Sequence, residues 1–101
     1  MALSVAGPVR VDVYEVTLRP GGTTGPHRHN GEVIGVVTAG ALTHYAPVHP
    51  GGIRVYAAGE VVREGSGYRH EGVNEGTEDL VMWVIYVSPR GLPLTEACDA
   101  P

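Results

Sequence analysis

Glycine and proline interrupt this chain so often that a long helix has little room to form. The 101 residues include 15 Gly and 8 Pro, which divide the sequence about every ten residues. Between these breaks, apolar and polar residues often alternate, as they do from Val9 to Val13, and we find no helical period over any segment of about ten residues or more. The sequence therefore predicts an all-β domain of short strands joined by turns.

The length suits one domain with one core. We predict a single domain over residues 1–101, with a barrel core over about 9–88 and an extended C-terminal tail over 89–101. A strand from Val33 to Thr38 is expected to turn at Gly40 and return as its own hairpin partner over Leu42 to Tyr45.

The last strand of the predicted core, from Leu80 to Val87, is apolar at nearly every position, so we expect both of its faces to be buried. One face would pack in the barrel and the other against a second sheet or subunit. Either the row that contains Met82 or the row that contains Trp83 should line the interior, and the sequence leaves this choice open. We predict a homodimer that pairs through this strand or through the N-terminal strand.

Charge and hydropathy limit the kinds of partner and the location that we expect for this protein. The formal net charge is -4, without a basic stripe of the kind that neutralises phosphates, so nucleic acid is not expected to bind. The N-terminus has neither the basic region nor the apolar core of a signal peptide, and the longest apolar run is too short to span a membrane as a helix. A cytoplasmic protein that is not bound to a membrane is the resulting expectation.

Histidines supply the strongest chemical signal. His27 and His29 are two residues apart, and a strand would place both imidazoles on one face. A third histidine, His70, lies on a second glycine-rich segment. Neutral imidazoles that share a face are the arrangement a transition metal needs, so His27 and His29 are candidate metal ligands.

Two stretches around these histidines resemble the paired motifs of the cupin family. Gly21, five residues, His27-Arg28-His29, Glu32 and Gly40 are similar to the first motif. The second motif resembles the stretch that contains Gly59, Gly65, Gly67, His70 and Asn74, in which Gly65 stands where the family usually has proline. The resemblance implies a cupin double-stranded β-helix, a jelly-roll-like barrel.

The family pattern also implies a divalent transition metal held by His27, His29, His70 and a glutamate. The position expected for that glutamate holds Val33, and the nearby acid, Glu32, is one residue early. A shift of one residue reverses the face of a strand, so Glu32 is a candidate fourth ligand only if a bulge restores its direction. Imidazole ligands leave the metal open among Fe, Zn, Mn, Ni, Co and Cu.

The leading function implied by the resemblance is that of a metal-dependent enzyme, with dioxygenase chemistry on a small enol, thiol or aromatic substrate. The alternatives are a barrel that binds a small sugar or acid without turnover, and a metal-dependent isomerase or lyase. No catalytic residue is identified, and whether the barrel is an enzyme stays open. His44 and the tyrosines are candidates to contact the metal-binding side chains without binding the metal themselves.

Overall fold

The structure is a computed structural model that describes residues 7–98. Nine strands make up the regular structure of this part of the chain, with one short 3-10 turn at Pro50–Gly52. In chain order the strands are β1 Val9–Leu18, β2 His27–His29, β3 Glu32–Ala39, β4 Ala41–Tyr45, β5 Ile53–Ala57, β6 Val61–Glu64, β7 Glu71–Val73, β8 Leu80–Pro89 and β9 Thr95–Ala97. The predicted all-β fold is confirmed.

Two antiparallel sheets enclose the core. The larger has the strand order β1-β8-β3-β6, the smaller has the order β5-β4-β7, and β2 pairs with β9 beside them. Apolar side chains from both main sheets meet between them and exclude water, which is the chief stabilising contribution. The buried members of this core are Val33, Val37, Leu42, Tyr56, Val62, Leu80, Met82 and Val84.

The turn at Gly40 carries the chain from one sheet to the other. Gly40 has φ +72°, and a Cβ at this position would lie 2.5 Å from the carbonyl oxygen of Asp79, so only glycine fits without strain. Beyond the turn, β4 pairs with β5 and β7, and not with β3. The predicted hairpin between Val33–Thr38 and Leu42–Tyr45 is therefore wrong, because a glycine turn signals a change of direction but not which strand is paired.

The last long strand, β8, has one buried and one exposed face. Met82 and Val84 point into the core, whereas Trp83 and Ile85 are 47% and 37% exposed. The prediction that both faces are buried is wrong for the single chain, since an apolar run does not reveal whether anything covers its second face. The row of β8 that contains Met82 therefore lines the interior, a point that the sequence left open.

The C-terminal segment does more than extend away from the barrel. β8 continues to Pro89, and β9 pairs with β2 in the register that aligns Thr95 with His29. The predicted tail over 89–101 therefore contains a strand that supports the histidine segment, and its last three positions lie outside the described residues. Within residues 7–98, no helix is long and apolar enough to cross a membrane.

Candidate metal centre

Strand β2 presents the first two histidines to the interior. His27 and His29 are 9% and 2% exposed, while Arg28 between them faces outward and pairs with Glu96 across the two-stranded sheet. The alternation that the sequence predicts for this His-x-His segment is therefore present. Both imidazoles lie on the inner face.

His70 joins them through the backbone. The amide of His27 donates to the carbonyl of His70 at 2.9 Å, and the amide of His70 donates back at 2.8 Å. Such a hydrogen-bonded antiparallel pair places two side chains side by side. One ligand nitrogen from each of His27, His29 and His70 lies within 4.8 Å of the others, so the structure brings together the three histidines that the sequence predicts.

Hydrogen bonds define the tautomers of the first two rings. His27 Nδ1 lies 2.8 Å from the carbonyl oxygen of Gly25, and His29 Nδ1 lies 3.1 Å from that of Leu94. A carbonyl oxygen only accepts, so each Nδ1 carries the proton. In the neutral rings, each Nε2 is then a free lone pair, which is the form in which histidine binds metals.

The third ring is buried without a well-formed hydrogen bond. His70 is 1% exposed, and neither of its ring nitrogens makes a hydrogen bond of acceptable geometry to any described residue. Its Nε2 lies 3.0 Å from Oε2 of Glu64, but the two groups are not aligned for a hydrogen bond. Burying an imidazole in this way costs free energy unless another group satisfies it. A metal ion on a ring nitrogen would do so.

A carboxylate, that of Glu64 at the end of β6, lies among the histidines. Its Oε2 is 2.6 Å from His44 Nε2, and its Oε1 is 3.5 Å from His29 Nε2. Burial by itself raises the pKa of Glu64, but the contacts with the surrounding imidazoles of His29, His44 and His70 outweigh burial and hold that pKa well below its usual range. Glu64 is therefore ionised.

Glu64 is not among the site residues that the sequence predicts. It is the Cα partner of Val33 in the pairing of β3 with β6, and Val33 occupies the position at which the cupin motif expects glutamate. The acid in this protein therefore lies on the strand next to the one on which the motif expects it. Alternation with the buried Val62 places Glu64 on the inner face, but the register that sets it opposite Val33 is a long-range property that no motif records.

The other acid considered, Glu32, lies elsewhere. Both carboxylate oxygens of Glu32 are 3.1 Å from the guanidinium of Arg63, and Glu32 is not part of the histidine cluster. No register shift separates it from Val33 in the pairing with β8, so the two adjacent side chains point to opposite faces. The bulge that would have made Glu32 a fourth ligand is absent from this stretch of β3.

Two further histidines lie next to the carboxylate. His44 on β4 is 2% exposed, and its second nitrogen, Nδ1, is 2.8 Å from Nε2 of His49. His44 therefore faces the pocket, one of the alternatives that the sequence left open, while the partly exposed His49 connects it toward the surface.

The space beside the cluster is a largely apolar pocket. Its empty volume is about 510 Å³, which includes open solvent at its mouth. The described residues that line it include no Arg or Lys. Burial, followed by the nearby Glu64 charge, raises the pKa of Tyr86, so its phenol stays protonated. The apolar walls are formed by Val16, Val33, Leu42, Val62, Met82 and Val84.

Asn74, the last position of the second motif, has a structural role. It is 0% exposed, and its amide donates to the carbonyl oxygens of Leu18 and Glu78 at 2.8 and 2.7 Å. Its own Oδ1 accepts from the amide of Gly76. Asn74 thus organises the turn before β8 and does not extend into the histidine cluster.

Fold and site together define a small β-barrel with a histidine-lined interior. The cupin domain model matches residues 14–86, which is more than half of the chain, and the protein belongs to the cupin domain family. No curated protein sequence matches it significantly.

Solved structures extend the comparison. A cupin-like protein from Thermotoga maritima superimposes with a TM-score of 0.75 and 28% identity, over 87% of this chain and 64% of that one. Oxalate oxidase gives a TM-score of 0.72 and 29% identity, over 86% of this chain and 45% of that one. A DMSP lyase from Ruegeria pomeroyi, at 21% identity and a TM-score of 0.72 over 86% of this chain and 42% of that one, is similar in fold. The chain thus spans less than two thirds of the length of each of these structures.

Proposed function

We propose that this protein is a metal-dependent small-molecule cupin whose metal is held by His27, His29, His70 and Glu64. The observation that carries the proposal is the contact between His29 and Glu64. His29 donates from Nδ1, so its Nε2 lone pair faces Oε1 of an ionised carboxylate at 3.5 Å. Two acceptors repel each other unless a cation, either a proton or a metal ion, lies between them.

The donor set fits a divalent transition metal. Three imidazole nitrogens and one carboxylate oxygen suit Fe, Mn, Co, Ni, Cu or Zn, and do not select among them. When bound, such a metal supplies a Lewis-acid centre, and a redox-active one also supplies an electron route to oxygen. Glu64 would contribute the anionic charge that the family pattern takes from the position of Val33.

The pocket supports a small substrate with a chelating end and an apolar body. The described lining residues include no guanidinium or ammonium group to balance a carboxylate on the body of the substrate. Aliphatic side chains form most of the wall. The protonated phenol of Tyr86 would donate a hydrogen bond to the substrate and would not act as a base at neutral pH. Enols, thiols and small aromatic compounds have this character, and dioxygenase chemistry is the leading activity.

Two measurements test this function. Protein purified without chelator is expected to contain close to one equivalent of a transition metal by plasma mass spectrometry. The iron-loaded protein is then expected to consume oxygen with an enol, thiol or aromatic substrate, and the metal-free protein is not. Metal content near zero that chelator-free reconstitution does not raise would contradict the metal site. Turnover without oxygen uptake would instead indicate an isomerase or lyase, and tight binding without turnover a ligand-binding barrel.

The exposed face of the larger sheet supports the predicted homodimer. Val13 on β1 and Val36 on β3 pair with Ile85 and Trp83 on β8, and all four side chains are 37–56% exposed. A contiguous apolar surface of this kind is typical of subunit interfaces, and a second copy would cover it symmetrically.

Sedimentation measurements test the dimer. Wild-type protein is expected to sediment as a dimer at micromolar concentration, and Trp83→Glu is expected to shift it to monomer because a charge would be buried without a partner. Wild-type protein that remains monomeric at about 100 µM, far above the Kd of a stable dimer, would contradict this interface. The cytoplasmic location expected from the sequence stays a prediction.

A further inference from the structure

His44 connects the two main sheets through Glu64. It extends from β4 in the smaller sheet, and its Nε2 lies 2.6 Å from the Oε2 of Glu64, which belongs to β6 in the larger sheet. His49, behind it, lies 2.8 Å from its other ring nitrogen. Both nitrogens of His44 are thus engaged by side chains, and neither by the backbone.

The chemistry of these contacts assigns the protons. An ionised carboxylate only accepts hydrogen bonds, so His44 must carry its proton on Nε2 to donate to Glu64. In the neutral form of His44 this is the one N–H, so its Nδ1 is an acceptor. His49 must then donate from its Nε2, so the hydrogen bonds run in one direction, from His49 to His44 to Glu64. This tautomer is the opposite of that in His27 and His29.

The chain of hydrogen bonds orients the carboxylate. The short bond from His44 holds Oε2 of Glu64, while Oε1 is left on the side of His29. Glu64 is the last residue of its strand, and the chain continues into a glycine-rich loop at Gly65. His44 supplies the restraint from the opposite sheet.

We infer that His44, with His49 behind it, is a positioning residue that directs Oε1 of Glu64 toward His29. The part of this inference that concerns metal affinity rests on the proposed function, because it treats Glu64 as a ligand. Groups that orient metal ligands typically affect affinity by about 10- to 100-fold.

The first experiment uses metal-free protein and does not depend on any metal. Long-range ¹H–¹⁵N NMR at pH 7.5 reports which nitrogen of each imidazole carries the proton. His44 is expected as the Nε2–H tautomer with a strongly deshielded proton, and His27 as the Nδ1–H tautomer. Glu64→Gln is expected to remove the deshielding of the His44 proton. An Nδ1–H tautomer of His44, or a signal unchanged by Glu64→Gln, would overturn the inference.

The second experiment measures Co²⁺ affinity and its visible absorption spectrum. His44→Phe is expected to raise the Kd for Co²⁺ about tenfold and to alter the spectrum, because Oε1 is no longer held in place. His44→Gln retains an N–H donor at a similar distance and should recover most of the loss. The matched control, Tyr45→Phe, changes the adjacent, outward-facing residue and should leave both measurements unchanged.

A double-mutant cycle separates positioning from general stabilisation. If His44 acts through Glu64, His44→Phe in the Glu64→Gln background should change the Co²⁺ affinity by less than about twofold. An equal loss in both backgrounds, without rescue by His44→Gln, would show that His44 is merely structural. Should His44→Phe not fold, His49→Phe, at a partly exposed position, provides the same comparison with a smaller expected loss.

Failure of the proposed function would be visible separately. Wild-type protein that binds no Co²⁺, Fe²⁺ or Zn²⁺ would overturn the metal site, while the expected tautomers in the NMR experiment would still support His44 as the residue that orients Glu64. Tight metal binding together with the wrong tautomer of His44 would overturn the positioning role and leave the metal site in place.

Discussion

Two sets of histidines surround Glu64, and the protein holds them in opposite ways. The Nδ1 atoms of His27 and His29 contact backbone carbonyls, which leaves their Nε2 atoms to the interior. His44 accepts at Nδ1 from His49 and presents an N–H to the carboxylate. The same type of side chain is thus suited to bind a metal or to donate a hydrogen bond, depending on whether the backbone or another side chain contacts its second nitrogen.

The largest effect on metal affinity is expected from His70→Ala, which tests whether His70, together with His27 and His29, is a metal ligand. Removing one of three imidazoles should weaken metal binding more than about 100-fold, a larger loss than outer groups cause. The barrel should remain folded, at a cost of about 1–3 kcal/mol typical of a buried substitution. Isothermal titration with Zn²⁺ and thermal melting measure the two quantities. Unfolding of this variant in metal-free buffer would instead show that His70 is structural.

Acidification should destabilise the metal-free protein, and His27 and Glu64 should contribute to this loss in different pH ranges. Burial is the main cause that lowers the pKa of His27 from its usual 6.5, so the unfolded chain takes up this proton first, and stability falls as pH drops below about 6.5. The pKa of Glu64 is also lowered from 4.5, so the stability contributed by its ionised form is lost only at pH values below about 4.5.

Denaturant unfolding across pH 3–8 checks this expectation. His27→Gln should flatten the stability profile in its upper part, and Glu64→Gln should flatten it in its lower part, because each variant removes the group that titrates there. Stability that rises as pH falls from 7 to 5 would contradict the burial of a neutral His27.

The smallest effect on Zn²⁺ affinity is expected from Thr95→Val, which removes one of the two hydrogen-bond partners of His29 Nδ1. The hydroxyl of Thr95 lies 3.1 Å from His29 Nδ1, but the carbonyl oxygen of Leu94 lies at the same distance and would remain. Zn²⁺ affinity should therefore fall less than about tenfold, below the usual range for outer groups. A loss as large as that of His70→Ala would mean that β9, and not the Leu94 carbonyl, governs the ring.

Local patterns made much of the fold and half of the site predictable. Alternation and glycine placement indicated an all-β barrel, and the spacing of His27 and His29 placed both rings inside. His70 could be added because the second motif fixes its position. These signals all lie within short segments, where the period of a strand determines direction.

Long-range register made the rest unpredictable. Glu64 lies in the site because it pairs with Val33 on the neighbouring strand. His44 lies there because the chain changes sheet at Gly40, where a hairpin was expected. β9 was taken for part of a tail, because three residues of strand do not show a pattern that differs from an extended segment. Each of these errors concerns which strands are neighbours, and a single sequence contains no direct record of that.

The strand β9 also has a kinetic consequence. Its three residues pair only with β2 in the described part of the chain, and a short strand with one partner opens locally at a much lower free energy than a barrel does. Each such opening withdraws the Leu94 carbonyl from His29 and leaves that ring free to rotate. The lifetime of a metal bound as proposed would then follow the opening of this segment and not the global unfolding of the barrel.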